Sequence, residues 1–127
     1  MRRSDLSILV VEDEAVIGIL IEDILLELGC GRVHLAASVE CGLSILAETS
    51  PDFAFLDINL NGTASYPVAD VLKSRDIPFV FASAYATHPL DTVHAGEQIL
   101  QKPFHVRDLE TALERAVPSV RSVVLAA

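Results

Sequence analysis

The sequence predicts an α/β domain: one doubly wound sheet of five parallel strands with helices on both faces. Three observations predict it. Short, continuously apolar, β-branched runs alternate with segments of helical periodicity from end to end. The strand-like runs lack the in–out alternation of half-exposed strands, as expected when both faces of a sheet are covered. The chain has 127 residues, 51% apolar and 21% charged, which suits one domain able to bury its own core.

Each element has a local reason. Residues 6–11 are apolar and β-branched and read as the first strand. Residues 15–28 carry Val16, Ile17, Leu20, Ile21, Ile24, Leu25 and Leu28 at helical spacing, with Gly29 as the expected stop. Residues 33–37 form a second strand. Ser38 is the expected N-cap of a helix reaching about Glu48, and Ser50-Pro51 ends it. Residues 52–57 form a third strand, followed by a loop holding Asn61-Gly62 and a helix over 67–74 that breaks before Pro78. Residues 79–82 and 98–101 read as the fourth and fifth strands. Residues 86–96 carry a poor helical signal, with Thr87, His88, Pro89, Thr92, His94 and Gly96, so a short or mobile fourth helix is expected there. Val106, Leu109, Ala112, Leu113, Ala116 and Val117 mark an amphipathic last helix. The expected organisation is a single domain over 1–127 with no second, output domain. The apolar tail after Pro118 is expected to be loosely held.

Charge and cysteine usage narrow the functions. Nine Lys and Arg against 18 Asp and Glu give −9, which argues against nucleic acid or an anionic membrane as the main partner. The longest apolar stretch, 15–21, is far too short for a membrane span of ~18 residues, and no signal segment is evident. A cytoplasmic protein is expected. Cys30 and Cys41 fit neither a disulfide framework nor a zinc site and read as two reduced thiols.

In an open parallel sheet, ligands collect beyond the carboxyl ends of the strands. Those ends carry Glu12-Asp13, Asp57, Ser83 and Lys102. Taken singly, each has an ordinary reading: a strand-end Asp is usually a turn former or helix cap, and a lone Lys is a solvated surface group. Together they are chemically coherent. With strand order 2-1-3-4-5, three carboxylates converge at the switch point, with a hydroxyl and an ammonium opposite. Oxygen-only ligands favour Mg²⁺ over zinc. A divalent cation, a carboxylate nucleophile, a hydroxyl and a lysine are the parts needed to accept a phosphoryl group.

On these residues the sequence resembles a response-regulator receiver domain of two-component signalling. The resemblance runs from ILVVEDE through FAFLDINL and PFVFASAY to QKPF, nearly the whole chain. It implies the flavodoxin-like form of the doubly wound sheet. It also implies Asp57 as phosphoacceptor, with Glu12 and Asp13 as the acidic pair that holds Mg²⁺. Asn59 would complete the metal site through its backbone carbonyl. Ser83 and Lys102 would bind the phosphoryl group, and the Lys102-Pro103 bond would be cis. More narrowly, the segment Phe81-Ala82-Ser83-Ala84-Tyr85-Ala86, with DINLNG and SYPVADVL, is similar to the single-domain FAT GUY receivers, with Ser for Thr and Ala for Gly. Ile99 stands where typical receivers carry a switch aromatic, which leaves Tyr85 as the nearest ring able to respond.

The resemblance implies a stand-alone phosphoacceptor rather than an enzyme acting on other molecules. A histidine kinase or histidine phosphotransfer protein would donate to Asp57, and a downstream protein would read the result. The protein would be a monomer or weak dimer. A phosphate sink, or a receiver that binds its partner without phosphorylation, is the alternative within the class. Two rivals come from other classes. An Asp-nucleophile phosphatase wants an acid two residues after the nucleophile, where Asn59 stands. A flavin-binding module wants a Ser/Thr/Gly-rich loop after the first strand, where Glu12-Asp13-Glu14 would repel a phosphate.

Overall fold

The computed structural model describes residues 3–60, 62–83, 99–101 and 105–117. Its elements are β1 (Ser7–Val11), α1 (Ala15–Glu27), β2 (Arg32–Ala36), α2 (Val39–Glu48) and β3 (Phe53–Asp57), then β4 (Asn59–Leu60) and β5 (Thr63–Ala64). They continue with α3 (Tyr66–Ser74), β6 (Phe79–Ser83), β7 (Ile99–Gln101) and α4 (Val106–Ala116). The main sheet has the order β2-β1-β3-β6-β7, and every pairing in it is parallel. The five long runs thus take the expected 2-1-3-4-5 order, with the switch point between β1 and β3.

The continuous apolar runs resolve into two cores because a strand places successive side chains on opposite faces. Ile8, Val10, Phe53, Phe55 and Val80 face one side, where Ile21 and Leu25 of α1 and Leu109 and Leu113 of α4 cover them. Leu9, Val11, Ala54, Leu56 and Phe81 face the other, covered by Leu46 of α2 and Val68 and Leu72 of α3. No helix among the described residues is long and apolar enough to cross a membrane.

The helix ends follow from their residues. Gly29 takes φ 98°, and α1 closes with Gly29 N–H donating to Leu26 O at 3.0 Å and Cys30 N–H to Leu25 O at 3.1 Å. This paired closure needs a left-handed residue after the cap, which glycine adopts without strain. Ser38 Oγ accepts from Cys41 N–H at 3.1 Å and caps α2 as expected. His105 and Asp108 cap α4 reciprocally. The N-terminus is fastened from Arg3. Its guanidinium donates to Leu28 O at 2.9 Å and pairs with Glu110 at 2.9 Å and Glu114 at 3.1 Å on α4.

The structure departs from the expectations in one element and in several ends. The expected loop around Asn61-Gly62 is an antiparallel hairpin, β4 paired with β5. Gly62 takes φ 89°, which lets the backbone reverse in two residues. Strand ends move by about one residue, as at β2, which spans Arg32–Ala36 rather than 33–37, and at β6, which runs on to Ser83. α3 begins at Tyr66. Cys30 is buried and Cys41 exposed, both free. The expected helix within 86–96 and the tail after 118 lie outside the described residues.

Candidate functional site

The site is built where β1 and β3 end, the first place where apolar side chains give way to acids. Glu12 N–H donates to Ala36 O at 2.9 Å and so extends the backbone pairing of β1 with β2 by one residue. This holds Glu12 against the sheet; the residue is 5% exposed. Glu14 N–H donates to a Glu12 carboxylate oxygen at 3.3 Å. Asp13, half-buried, follows on the turn into α1. Asp57 is the last residue of β3 and is also half-buried. It stands in register with Ala82, and the ladder runs one step further through Ile58 N–H to Ala82 O at 3.1 Å.

These strand ends bring Glu12, Asp13 and Asp57 together, with one carboxylate oxygen from each within 4.8 Å of the others. At that spacing two carboxylates repel by about 0.9 kcal/mol at the dielectric of water and about 3.5 kcal/mol at an effective dielectric of ~20. Folding therefore gathers three like charges that a hard cation would neutralise. The donors are all oxygen, which suits Mg²⁺.

The hairpin orders the next residue. Ser65 N–H donates to Ile58 O at 2.9 Å, which makes Asn59–Ala64 the non-hydrogen-bonded pair of β4 and β5. The backbone carbonyl of Asn59 therefore points away from β5. Its side chain is engaged in the turn, where Oδ1 accepts from Gly62 N–H at 2.8 Å. The resemblance implies the Asn59 carbonyl as a metal ligand; the hairpin that orients it goes beyond the expected loop, although Asn-Gly is itself a turn signal.

Ser83 ends β6, one residue past Ala82, and is 4% exposed. It lies at the carboxyl edge of the strand beside β3, in register with Gln101 of β7. The expected Lys102, Pro103 and Tyr85 lie outside the described residues. Ile99 begins β7.

One feature beside the site was not anticipated. α1 leaves the acidic turn with Val16 81%, Ile19 51% and Leu20 55% exposed. The helical periodicity placed Val16 and Leu20 among the core positions. The core is instead served by Ile17, Ile21, Ile24, Leu25 and Leu28, a narrower stripe. A helix that is apolar nearly all round does not reveal which side is turned to the sheet.

A doubly wound parallel sheet with an acidic trio at the β1–β3 switch point defines a receiver-type domain. The chain belongs to the response regulator receiver domain family, whose profile matches residues 8–114. It is similar to SdrG from Sphingomonas melonis Fr1, with 36% identity, a TM-score of 0.78, and coverage of 90% of this chain and 98% of that one. It is also similar to the receiver domain of the sensor histidine kinase PA1611 from Pseudomonas aeruginosa PAO1, solved with a magnesium ion coordinated in its active site cleft. That match has 27% identity and a TM-score of 0.78, over 89% of this chain and 98% of that one. Among curated proteins it matches the sensory transduction protein LytT of Bacillus subtilis, 27% identical over 96 residues. These are 73% of this chain and 40% of LytT, so the chain spans about two fifths of that relative.

Proposed function

We propose that this receiver domain takes a phosphoryl group on Asp57 and signals through protein contact. The observation that carries the reading is the convergence of Glu12, Asp13 and Asp57 at one strand-end cleft. Glu12, Asp13, Asp57 and the Asn59 carbonyl would hold Mg²⁺, which would supply positive charge against the phosphoryl oxygens. An Asp57 carboxylate oxygen attacks phosphorus, forming a P–O bond as the bond to the donor imidazole breaks. The imidazole nitrogen leaves with the electron pair of that bond. Ser83 donates a hydrogen bond to a phosphoryl oxygen, Lys102 supplies a counter-charge, and Tyr85 responds on the segment after β6. Attack by water later frees phosphate and restores the carboxylate.

The donor is a histidine kinase or a histidine phosphotransfer protein, in keeping with the family. The exposed Val16, Ile19 and Leu20 offer it an apolar helix face at the mouth of the acidic turn. The chemistry is compatible with a relay, a phosphate sink or an allosteric contact, and with a cytoplasmic location. The experiment is a transfer screen with ³²P-labelled histidine kinases and phosphotransfer proteins. Label passing to the wild type in Mg²⁺, but not in EDTA and not to Asp57→Asn, is the expected result. Equal labelling of Asp57→Asn would refute the assignment.

A further inference from the structure

The backbone carbonyl that would join the three carboxylates comes from Asn59, and the hairpin that carries it is tied at its tip and at its base. At the tip, Asn59 Oδ1 accepts from Gly62 N–H at 2.8 Å. Gly62 takes φ 89°, and a Cβ on it would meet nothing within 4 Å, so glycine serves the backbone there and not the space around it. At the base, Ser65 N–H donates to Ile58 O at 2.9 Å. Ser65 O accepts from Val68 N–H at 3.0 Å and Ala69 N–H at 3.2 Å in the first turn of α3. Ser65 is 0% exposed, so this base is packed as well as bonded. Ile58 is tied in turn through its N–H to Ala82 O at 3.1 Å. Asn59 thus sits between a base anchored on β6 and α3 and a tip closed by its own side chain. Asn59 is itself exposed, so its side chain serves the turn and not the core.

A donor held this firmly matters most to a cation with strict demands. Mg²⁺ requires near-octahedral ligands at ~2.0–2.1 Å, whereas Ca²⁺ accepts about six to eight oxygens at ~2.3–2.6 Å in flexible arrangements. A loosened carbonyl therefore costs Mg²⁺ more than Ca²⁺. The three carboxylates attract either ion by charge and do not select between them. We propose that the hairpin sets the selectivity of the cation site. Asn59, through its side-chain bond to Gly62, and Ser65, through its backbone bond to Ile58, are positioning residues that fix the Asn59 carbonyl for Mg²⁺ against Ca²⁺. The inference rests on the reading of Glu12, Asp13 and Asp57 as a Mg²⁺ site. It adds that a side chain which is no ligand governs which ion is held.

The test measures Mg²⁺ and Ca²⁺ dissociation constants separately, by amide-shift titration of the ¹⁵N-labelled full-length protein. In Asn59→Ala, which keeps the backbone carbonyl, Mg²⁺ affinity should fall about fivefold, the worth of one hydrogen bond, and Ca²⁺ affinity by less than about twofold. Gly62→Ala keeps Asn59 but strains the turn, and should shift the Mg²⁺-to-Ca²⁺ ratio the same way. Asn59→Ser, whose hydroxyl accepts more weakly in a turn of the same kind, should recover part of the ratio. An unchanged ratio in Asn59→Ala overturns the proposal. So do equal losses for the two ions, which a merely structural role of the hairpin would give. A wild type that binds no Mg²⁺ at millimolar concentrations overturns the metal reading itself, and the proposal with it.

Discussion

Replacing Asp57 by Asn should make the metal-free protein more stable and its response to Mg²⁺ weaker. The acidic trio contains three repelling pairs, each within 4.8 Å, and Asp57 takes part in two of them. Two pairs amount to about 2 kcal/mol at the dielectric of water and about 7 kcal/mol at an effective dielectric of ~20. Asp13 and Asp57 are half-buried, so solvent screens their charges and the lower figure governs. A gain of about 1–2 kcal/mol in unfolding free energy in EDTA is the expected size. Mg²⁺ reverses the ranking. It stabilises the wild type by binding the native state alone, and Asp57→Asn should lose at least tenfold in affinity, about 1.4 kcal/mol. Urea unfolding of both proteins, in EDTA and across a Mg²⁺ titration, measures both quantities. If Asp57→Asn is no more stable than wild type in EDTA, or if Mg²⁺ stabilises both equally, the electrostatic reading of the cleft is wrong.

Three further outcomes are expected. Gly31→Ala would place a Cβ 2.0 Å from the Ser4 carbonyl oxygen, so the N-terminal turn that carries Arg3 must shift; urea melts should show a loss of about 1–3 kcal/mol. Ser83→Ala should unfold within about 1 kcal/mol of wild type, while the amide shifts induced by beryllofluoride with Mg²⁺ shrink markedly. Burial pushes the Cys30 thiol above the ordinary thiol range, and the Arg3 guanidinium draws it only partly back. The unfolded protein therefore gives up this proton first as pH rises. The contribution is whole below the free-thiol range of ~8.5 and is lost as pH climbs toward the folded value. In Cys30→Ala this alkaline loss should disappear from a stability–pH curve. Cys41 should react with a thiol reagent at once and Cys30 only on unfolding.

The strands were legible because a parallel sheet covered on both faces demands unbroken apolar runs, and β1, β3 and β6 each supply one. The acids were legible because each interrupts such a run at its carboxyl end. Other features depend on tertiary geometry. The β4–β5 hairpin has two residues per strand, too few to show a period, although Asn61-Gly62 marked the reversal. The clamp of Arg3 on Glu110 and Glu114 joins residues more than 100 apart in the sequence. Gly31 has no unusual φ in the structure, and its need for a missing side chain comes from the Ser4 carbonyl packed against it. The orientation of α1 was obscured by Val16, Ile19 and Leu20, apolar residues that the fold leaves outside.

The central claim is that Asp57 carries the phosphoryl group, and covalent trapping tests it most directly. The protein is incubated with acetyl phosphate and Mg²⁺, and the acyl phosphate is then reduced with borohydride, which converts a phosphorylated Asp to homoserine. Peptide mass spectrometry should find homoserine at position 57 alone, and none when EDTA replaces Mg²⁺. Homoserine at position 13, or an unmodified position 57 after full treatment, would contradict the account.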